Sequence, residues 1–272
     1  MSILKENKLY VFNENIIAHY VDDWNSTLLA CNILKRQRVI AIDMEGRNFG
    51  KKGIISLLQI AISTKEIFVF DVLAIGPSLF SGHALLPILT DPEIVKLCYD
   101  CRCDAEALSS SYGIRVWGFY YLQIVYTLMF QNKQDPFLKG LHRAMKVPGI
   151  IETESLAEAH ISRKQATKKE FDQGNYLDRL FQRPIDHAML EYSCIDVIHL
   201  FAMYSQWNIP VKHILAMTNK RIIRFLTRTP YQVQNSIMSK LDFTLPLDGY
   251  HKKRPSKCNC EFENNNKLLR VS

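Results

Sequence analysis

Val39-Ile40-Ala41-Ile42-Asp43-Met44-Glu45-Gly46 is the stretch whose reading decides the fold. Four apolar residues run straight into Asp-x-Glu, as they do at the end of a buried strand. Alternate residues of a strand point the same way, so Asp43 and Glu45 project side by side. Two carboxylates that close repel each other unless a cation sits between them. Hard divalent ions such as Mg²⁺ prefer oxygen ligands. An isolated Asp-x-Glu is more often a strand that ends in a polar turn. The weight of the pair therefore depends on whether other acids arrive at suitable places.

Working outward, residues 8–12 read as a short strand and about 15–35 as an amphipathic helix with Ile16, Ile17, Trp24, Leu28, Leu29 and Leu34 on its apolar face. After the acid pair comes a turn with three glycines and three cations, Gly46 to Gly53. Strands over 54–62 and 66–71 complete an antiparallel meander, because the links are short. A helix follows over 76–89, a strand over 94–98, and a helix over 104–112 that Gly113 terminates. A strand over 116–122 and helices over 123–130 and 136–145 come next. Strand–helix–strand order calls for parallel crossovers. The expected fold is therefore α/β, a mixed five- to six-stranded sheet flanked by helices.

Residues 149–184 are basic and aperiodic, and read as a loop with a helical turn or two. Helices are expected over 185–206 and 211–227. The tail from 242 lacks periodicity and ends in Asn264-Asn265-Asn266-Lys267, a composition of disordered segments. The chain divides into a main domain over 1–206, a basic helical extension over 207–241 and a tail over 242–272.

The totals bound the partners. A 272-residue chain with 47% hydrophobic residues can bury a substantial core. It contains no apolar run of transmembrane length, and its polar start does not resemble a secretory signal. Seven cysteines, three of them crowded at 98, 101 and 103, do not make a disulfide framework and suit a reducing intracellular compartment. A net charge of +7 and a pI near 9.0 suit an anionic partner. No acid occurs between Asp196 and Asp242, where Lys212, Lys220, Arg221, Arg224, Arg228 and Lys240 fall. Cys258-Asn259-Cys260 with His251 is too sparse for a zinc site.

Further acids do arrive. Asp104 opens the helix after the fourth strand, at a positive helix end; taken alone it reads as a residue of the N-terminal cap. Asp196 lies in mid-helix between Ile195 and Val197, where an aspartate is disfavoured and, if buried, needs a partner or a metal. Tyr192 stands four residues before it, on the same helical face.

Asp-x-Glu on a strand, Asp at a strand–helix junction and Tyr-x-x-x-Asp on a late helix together resemble the DEDD superfamily of 3′–5′ exonucleases. The resemblance is to the branch with a tyrosine in its third motif, that of RNase D and the Werner helicase exonuclease domain. Cys98 to Leu108 resembles the second motif. Arg183-Pro184-Ile185 and Leu190 to Val197 resemble the third. Position 191 is Glu, so the histidine-dependent branch does not fit. Glu45-Gly46 with Asn48 and Gly50, and Asp100-Cys101-Arg102, look most like Egalitarian-type exonuclease-domain proteins. Some of those lack the metal-binding acids and act as RNA-binding adapters, whereas this chain keeps Asp43, Glu45, Asp104 and Asp196. It departs from the pattern at Tyr121, where relatives commonly carry Asp, and at Leu180-Phe181, in place of a tryptophan.

The resemblance implies a ribonuclease H-like fold. It implies two Mg²⁺ or Mn²⁺ ions held by Asp43, Glu45, Asp104 and Asp196, about 3.5–4 Å apart, with Tyr192 orienting the attacking water. A phenol, whose ordinary pKa is about 10, is a poor base at neutral pH. The implied substrate is single-stranded nucleic acid, RNA favoured over DNA, and the product a nucleoside 5′-monophosphate. Arg47, Lys51 and Lys52 are either phosphate contacts or a solvated turn. Arg221, Arg224 and Arg228, one face of the late helix, are either an RNA track or a soluble surface. A catalytically silent RNA-binding module on the same fold is the competing reading.

Overall fold

A computed structural model of the chain describes residues 9–12, 16–47, 53–131, 137–151, 162, 165–166, 179–207 and 209–227. Strands β1 (Leu9–Phe12) and β2 (Ile16–Val21) pair antiparallel, and helix α1 (Trp24–Leu34) follows. Strands β3 (Val39–Arg47), β4 (Ile54–Ala61) and β5 (Glu66–Asp71) form the expected antiparallel meander. Beyond it lie helices α2 (Val72–Ile75) and α3 (Leu86–Thr90), strand β6 (Val95–Cys98), helix α4 (Arg102–Tyr112), strand β7 (Phe119–Tyr121) and helices α5 (Leu122–Phe130) and α6 (Leu141–Met145). The described chain closes with α7 (His187–Ile198), α8 (Leu200–Trp207) and α9 (Val211–Leu226). No helix among the described residues is long and apolar enough to cross a membrane.

The seven strands make one mixed sheet in the order β1-β2-β5-β4-β3-β6-β7. This corrects the expectation of five or six strands, and the error is local. The helix expected over 15–35 begins only at Trp24, because Asp23 is its N-cap and accepts the Ser26 N–H at 2.9 Å. The residues before that cap are β-branched, aromatic and short, and pair parallel to β5 from Ile17 opposite Glu66 to Val21 opposite Phe70. Two other helices are shorter than expected. The stretch over 76–89 is broken after Pro77–Phe80, a single 3₁₀ turn entered from Gly76 at φ 77°. Of 136–145, only Leu141–Met145 is helical among the described residues. The stretch over 185–206 is interrupted at His199. Of the loop expected over 149–184, residues 152–161, 163–164 and 167–178 lie outside the described residues, as do 208 and 228–241 of the extension and the whole tail from 242.

Ile40, Ala41 and Ile42 are at most 2% exposed, so β3 is buried on both faces. Each isoleucine so buried is worth about 1.5–3 kcal/mol. Strand β3 pairs antiparallel with β4 on one side and parallel with β6 on the other. Its pairing with β4 slips between Glu45 and Gly46, a bulge that ends the regular ladder just past the acid pair. Glycine is required there: a Cβ on Gly46 would stand 2.2 Å from the Ile54 carbonyl oxygen. Helix α7 lies across β3, β4 and β5, and α9 packs on β7, α4 and α5. The basic C-terminal helix is thus docked on the same body as the sheet.

Candidate active site

Asp43 and Glu45 leave β3 on the face that α7 covers, and Asp196 meets them from α7. Carboxylate oxygens of the three, each half-buried, lie within 4.8 Å of one another. Asp104 sits in the first turn of α4, 8% exposed. Its carboxyl is pushed well above the ordinary range, first by burial and then by the charges of Asp43, Asp100 and Glu45. It therefore shares the field of the same acids. All four cannot ionise together without a counter-charge. A set of hard oxygen donors this close suits a divalent ion of the Mg²⁺ or Mn²⁺ type.

Tyr192, one helical turn before Asp196, is 8% exposed. Burial, then the nearby Glu45 and Asp43 charges, push its phenol far up, so it stays protonated at neutral pH and its O–H can serve as a donor rather than as a base.

The placement of α7 depends on a contact the sequence did not announce. Arg183 forks onto Asp71 at the end of β5, with Nη2 to Oδ1 at 2.8 Å and Nε to Oδ2. It also donates to Ser56 Oγ at 3.0 Å and to the Leu180 carbonyl at 2.9 Å. Asp71 is 1% exposed and additionally accepts from the Tyr20 hydroxyl and from the Leu73 and Ala74 N–H groups at 3.1 Å. Burial raises the Asp71 carboxyl, but the bonds from Arg183, Tyr20 and Ala74 outweigh it, and the net pKa is lowered. Asp186 then caps α7, accepting the Met189 N–H at 2.9 Å. The segment entering α7 is thereby fastened to the sheet.

Asp43 and Asp196 line a cleft of about 170 Å³ together with Ile42, Tyr99, Asp100, Gln123 and Leu141. Asp100 is the residue that sequence reasoning missed as part of the site; its only signal was Asp100-Cys101-Arg102 within the second-motif resemblance. It adopts φ 65°, a left-handed conformation that Asp tolerates better than most residues. Arg102 holds it with Nε to Oδ1 at 2.6 Å and Nη2 to Oδ2 at 2.9 Å. The Tyr121 hydroxyl donates to Asp100 Oδ1 at 2.5 Å, and Gln123 Oε1 lies 2.8 Å from the same hydroxyl. Tyr121, the departure from the family pattern, is thus tied to the cleft wall. Burial raises the Asp100 carboxyl, but Arg102, the Tyr121 bond and Arg221 more than offset it, and Asp100 stays ionised.

The basic residues divide. Arg47 is half-buried at the end of β3 with its guanidinium 4.6 Å from the centre of the Phe181 ring. Arg224 is exposed. Arg221 is 2% exposed, which corrects its assignment to an RNA-contacting face. It turns inward because α9 packs that side on β7, with the Arg221 guanidinium 5.9 Å from the Tyr121 ring. Lys51, Lys52, Arg228 and the Cys258–Cys260 pair lie outside the described residues. The five cysteines among the described residues are free thiols.

A mixed sheet with three acids gathered at the β3 and α7 face, and Asp104 in their field on α4, is a ribonuclease H-like nuclease fold. The chain belongs to the 3′-5′ exonuclease family, whose model matches residues 18–208, and so to the DEDD superfamily. The similarity to solved structures is to RNase D of Trypanosoma brucei. In its complex with GMP that protein superposes with a TM-score of 0.65 at 26% identity, over 78% of this chain and 65% of that one. In its complex with RNA U12 the TM-score is 0.64 at 26% identity, over 78% and 72%. Among curated proteins, the piRNA biogenesis protein EXD1 of Xenopus laevis is 29% identical over 174 residues, 63% of this chain and 38% of that protein. The chain therefore spans less than half the length of that relative.

Proposed function

We propose that the chain is a metal-dependent 3′–5′ exonuclease that hydrolyses single-stranded nucleic acid, RNA in preference to DNA, to nucleoside 5′-monophosphates. The observation that carries this reading is the gathering of Asp43, Glu45 and Asp196 within 4.8 Å, with Asp104 buried in their field. Mg²⁺ or Mn²⁺, as a pair of ions, would lower the pKa of a coordinated water and stabilise charge on the phosphate and leaving oxygen. Asp43, Glu45, Asp196 and Asp104 would hold the metal. Tyr192, kept protonated by its surroundings, donates a hydrogen bond and so fixes the line of attack. Arg47 would offer a phosphate contact beside the acid pair, and the exposed Arg224 would supply a contact farther along the strand. The cleft wall of Tyr99, Asp100 and Gln123 faces the terminal nucleotide.

The preference for RNA rests on the likeness to an RNase D that has been seen with RNA and with GMP. The likeness to a protein named for piRNA biogenesis favours a second reading, an RNA-binding module without turnover. One experiment separates them: 5′-labelled single-stranded RNA and DNA with Mg²⁺, Mn²⁺ or EDTA, beside an Asp43→Ala/Glu45→Ala control. Shortening from the 3′ end that EDTA and the control abolish is the expected result. Intact label in every metal, with the RNA still shifted on a gel, overturns the exonuclease.

A further inference from the structure

Helix α9 lies beyond the family-matched segment, yet one side of it is built into the cleft. Thr218, Arg221 and Phe225 fall on one face and are 0%, 2% and 6% exposed. Thr218 Oγ1 accepts the Tyr121 backbone N–H at 3.3 Å. The Arg221 guanidinium stands 5.9 Å from the Tyr121 ring, and the Phe225 ring receives the Arg102 guanidinium at 5.3 Å. Tyr121 and Arg102 are the two side chains that hold Asp100. Asp100 in turn lines the cleft beside Asp43 and Asp196, from a left-handed backbone.

A buried guanidinium is costly unless opposite charge lies near. The Arg221 charge favours the ionised form of Asp100, after the larger effects of Arg102 and the Tyr121 bond. Three carboxylates, at 43, 100 and 196, line the cleft, and Arg102 holds one of them from behind.

We propose that Arg221 is a positioning residue of the cleft, acting through Tyr121 to hold Asp100 in place in the cleft wall. The inference rests on the exonuclease reading for its kinetic readout only. The consequence is that activity depends on a helix outside the segment that defines the family.

The test uses the full chain, with Arg221→Met and Arg221→Lys made in the wild-type and Asp100→Asn backgrounds, and exposed Lys212→Met as control. Hydrogen–deuterium exchange over residues 98–104 and trimming of a 5′-labelled RNA with Mn²⁺ are followed. Arg221→Met should speed exchange over 98–104 and lower kcat by about tenfold or more with little change in KM. Arg221→Lys should recover most of both. In the Asp100→Asn background Arg221→Met should cost nothing further. An equal cost in both backgrounds assigns Arg221 a packing role and overturns the proposal, as does unchanged exchange in a folded Arg221→Met. If that variant does not fold, Tyr121→Phe removes the hydroxyl that links to Asp100 and to Gln123, and unchanged exchange over 98–104 again overturns it. Exchange decides the matter even for a wild-type chain that trims nothing, so failure of the exonuclease reading remains separately visible.

Discussion

Asp43→Asn should make the metal-free protein more stable while removing its response to metal. Asp43 shares with Glu45 and Asp196 a space in which oxygens of all three lie within 4.8 Å. Two unit charges at that distance repel by about 3.5 kcal/mol at an effective dielectric of about 20, and by about 0.9 kcal/mol in bulk water. The three are half-buried, and Asp104 takes up a proton more readily because of its burial and then the charges of Asp43, Asp100 and Glu45. The net relief on losing one charge is then about 1–2 kcal/mol, or a rise of about 2–8 °C in Tm for a chain of this size. The pH dependence has a definite sign. A carboxyl raised in the folded state binds more protons there than in the unfolded chain, so metal-free stability falls as pH rises from about 4 upward. The advantage of the Asn variant should accordingly be small near pH 4.5 and larger at pH 7.5. The assay is thermal unfolding in EDTA and in Mn²⁺ at both values. Wild type should gain about 2.7 kcal/mol at a metal concentration 100-fold above Kd, and the variant little. An Asn variant less stable than wild type in EDTA at pH 7.5, or one that gains equally from Mn²⁺, refutes the reasoning.

Arg183→Leu strips the buried Asp71 carboxylate of its fork and should cost about 3–5 kcal/mol, read as a lower midpoint in urea with the slope unchanged. Lys96 is fully buried and donates to the Asp91 carbonyl, and burial lowers its ammonium pKa from 10.5 to about 8. Between those values the unfolded chain binds the extra proton, so wild-type stability should gain on the order of 3 kcal/mol with rising pH. Lys96→Met should be more stable at pH 7 and lose that rise, which a stability-against-pH comparison of the two proteins measures. Tyr192→Phe should lower kcat by about 10–100-fold with the fold retained. The pH–rate profile below pH 9 should keep its shape, because the phenol is protonated throughout that range.

Much of the fold could be read along the chain. The meander from β3 to β5, the crossovers through α4 and the late helix α9 follow from apolar runs, short links and helical spacing. The strand β2 did not, because Ile16 and Ile17 fit a helical stripe with Trp24 and Leu28 as well as they fit a strand. The cap at Asp23 separates the two, and the parallel partner β5 lies nearly fifty residues on, with Ile17 opposite Glu66. Among the basic residues, Arg221 shows the same limit. Its spacing with Arg224 is that of one helical face, but spacing does not say which side of that face meets β7.

The sequence by itself determined the α/β class, the strand that carries Asp43 and Glu45, the order in which Asp104 and Asp196 follow, and Tyr192 one turn ahead of Asp196. These are local matters: side-chain direction within a strand or helix depends on residues two to four apart. Only the tertiary structure decided that β2 inserts beside β5, that Arg183 closes on Asp71 across 112 positions, that Asp100 joins the cleft and that Arg221 stands behind it. Those placements depend on which faces meet. The Asp71 charge stays ionised because the fold brings Arg183 to it from 112 positions away.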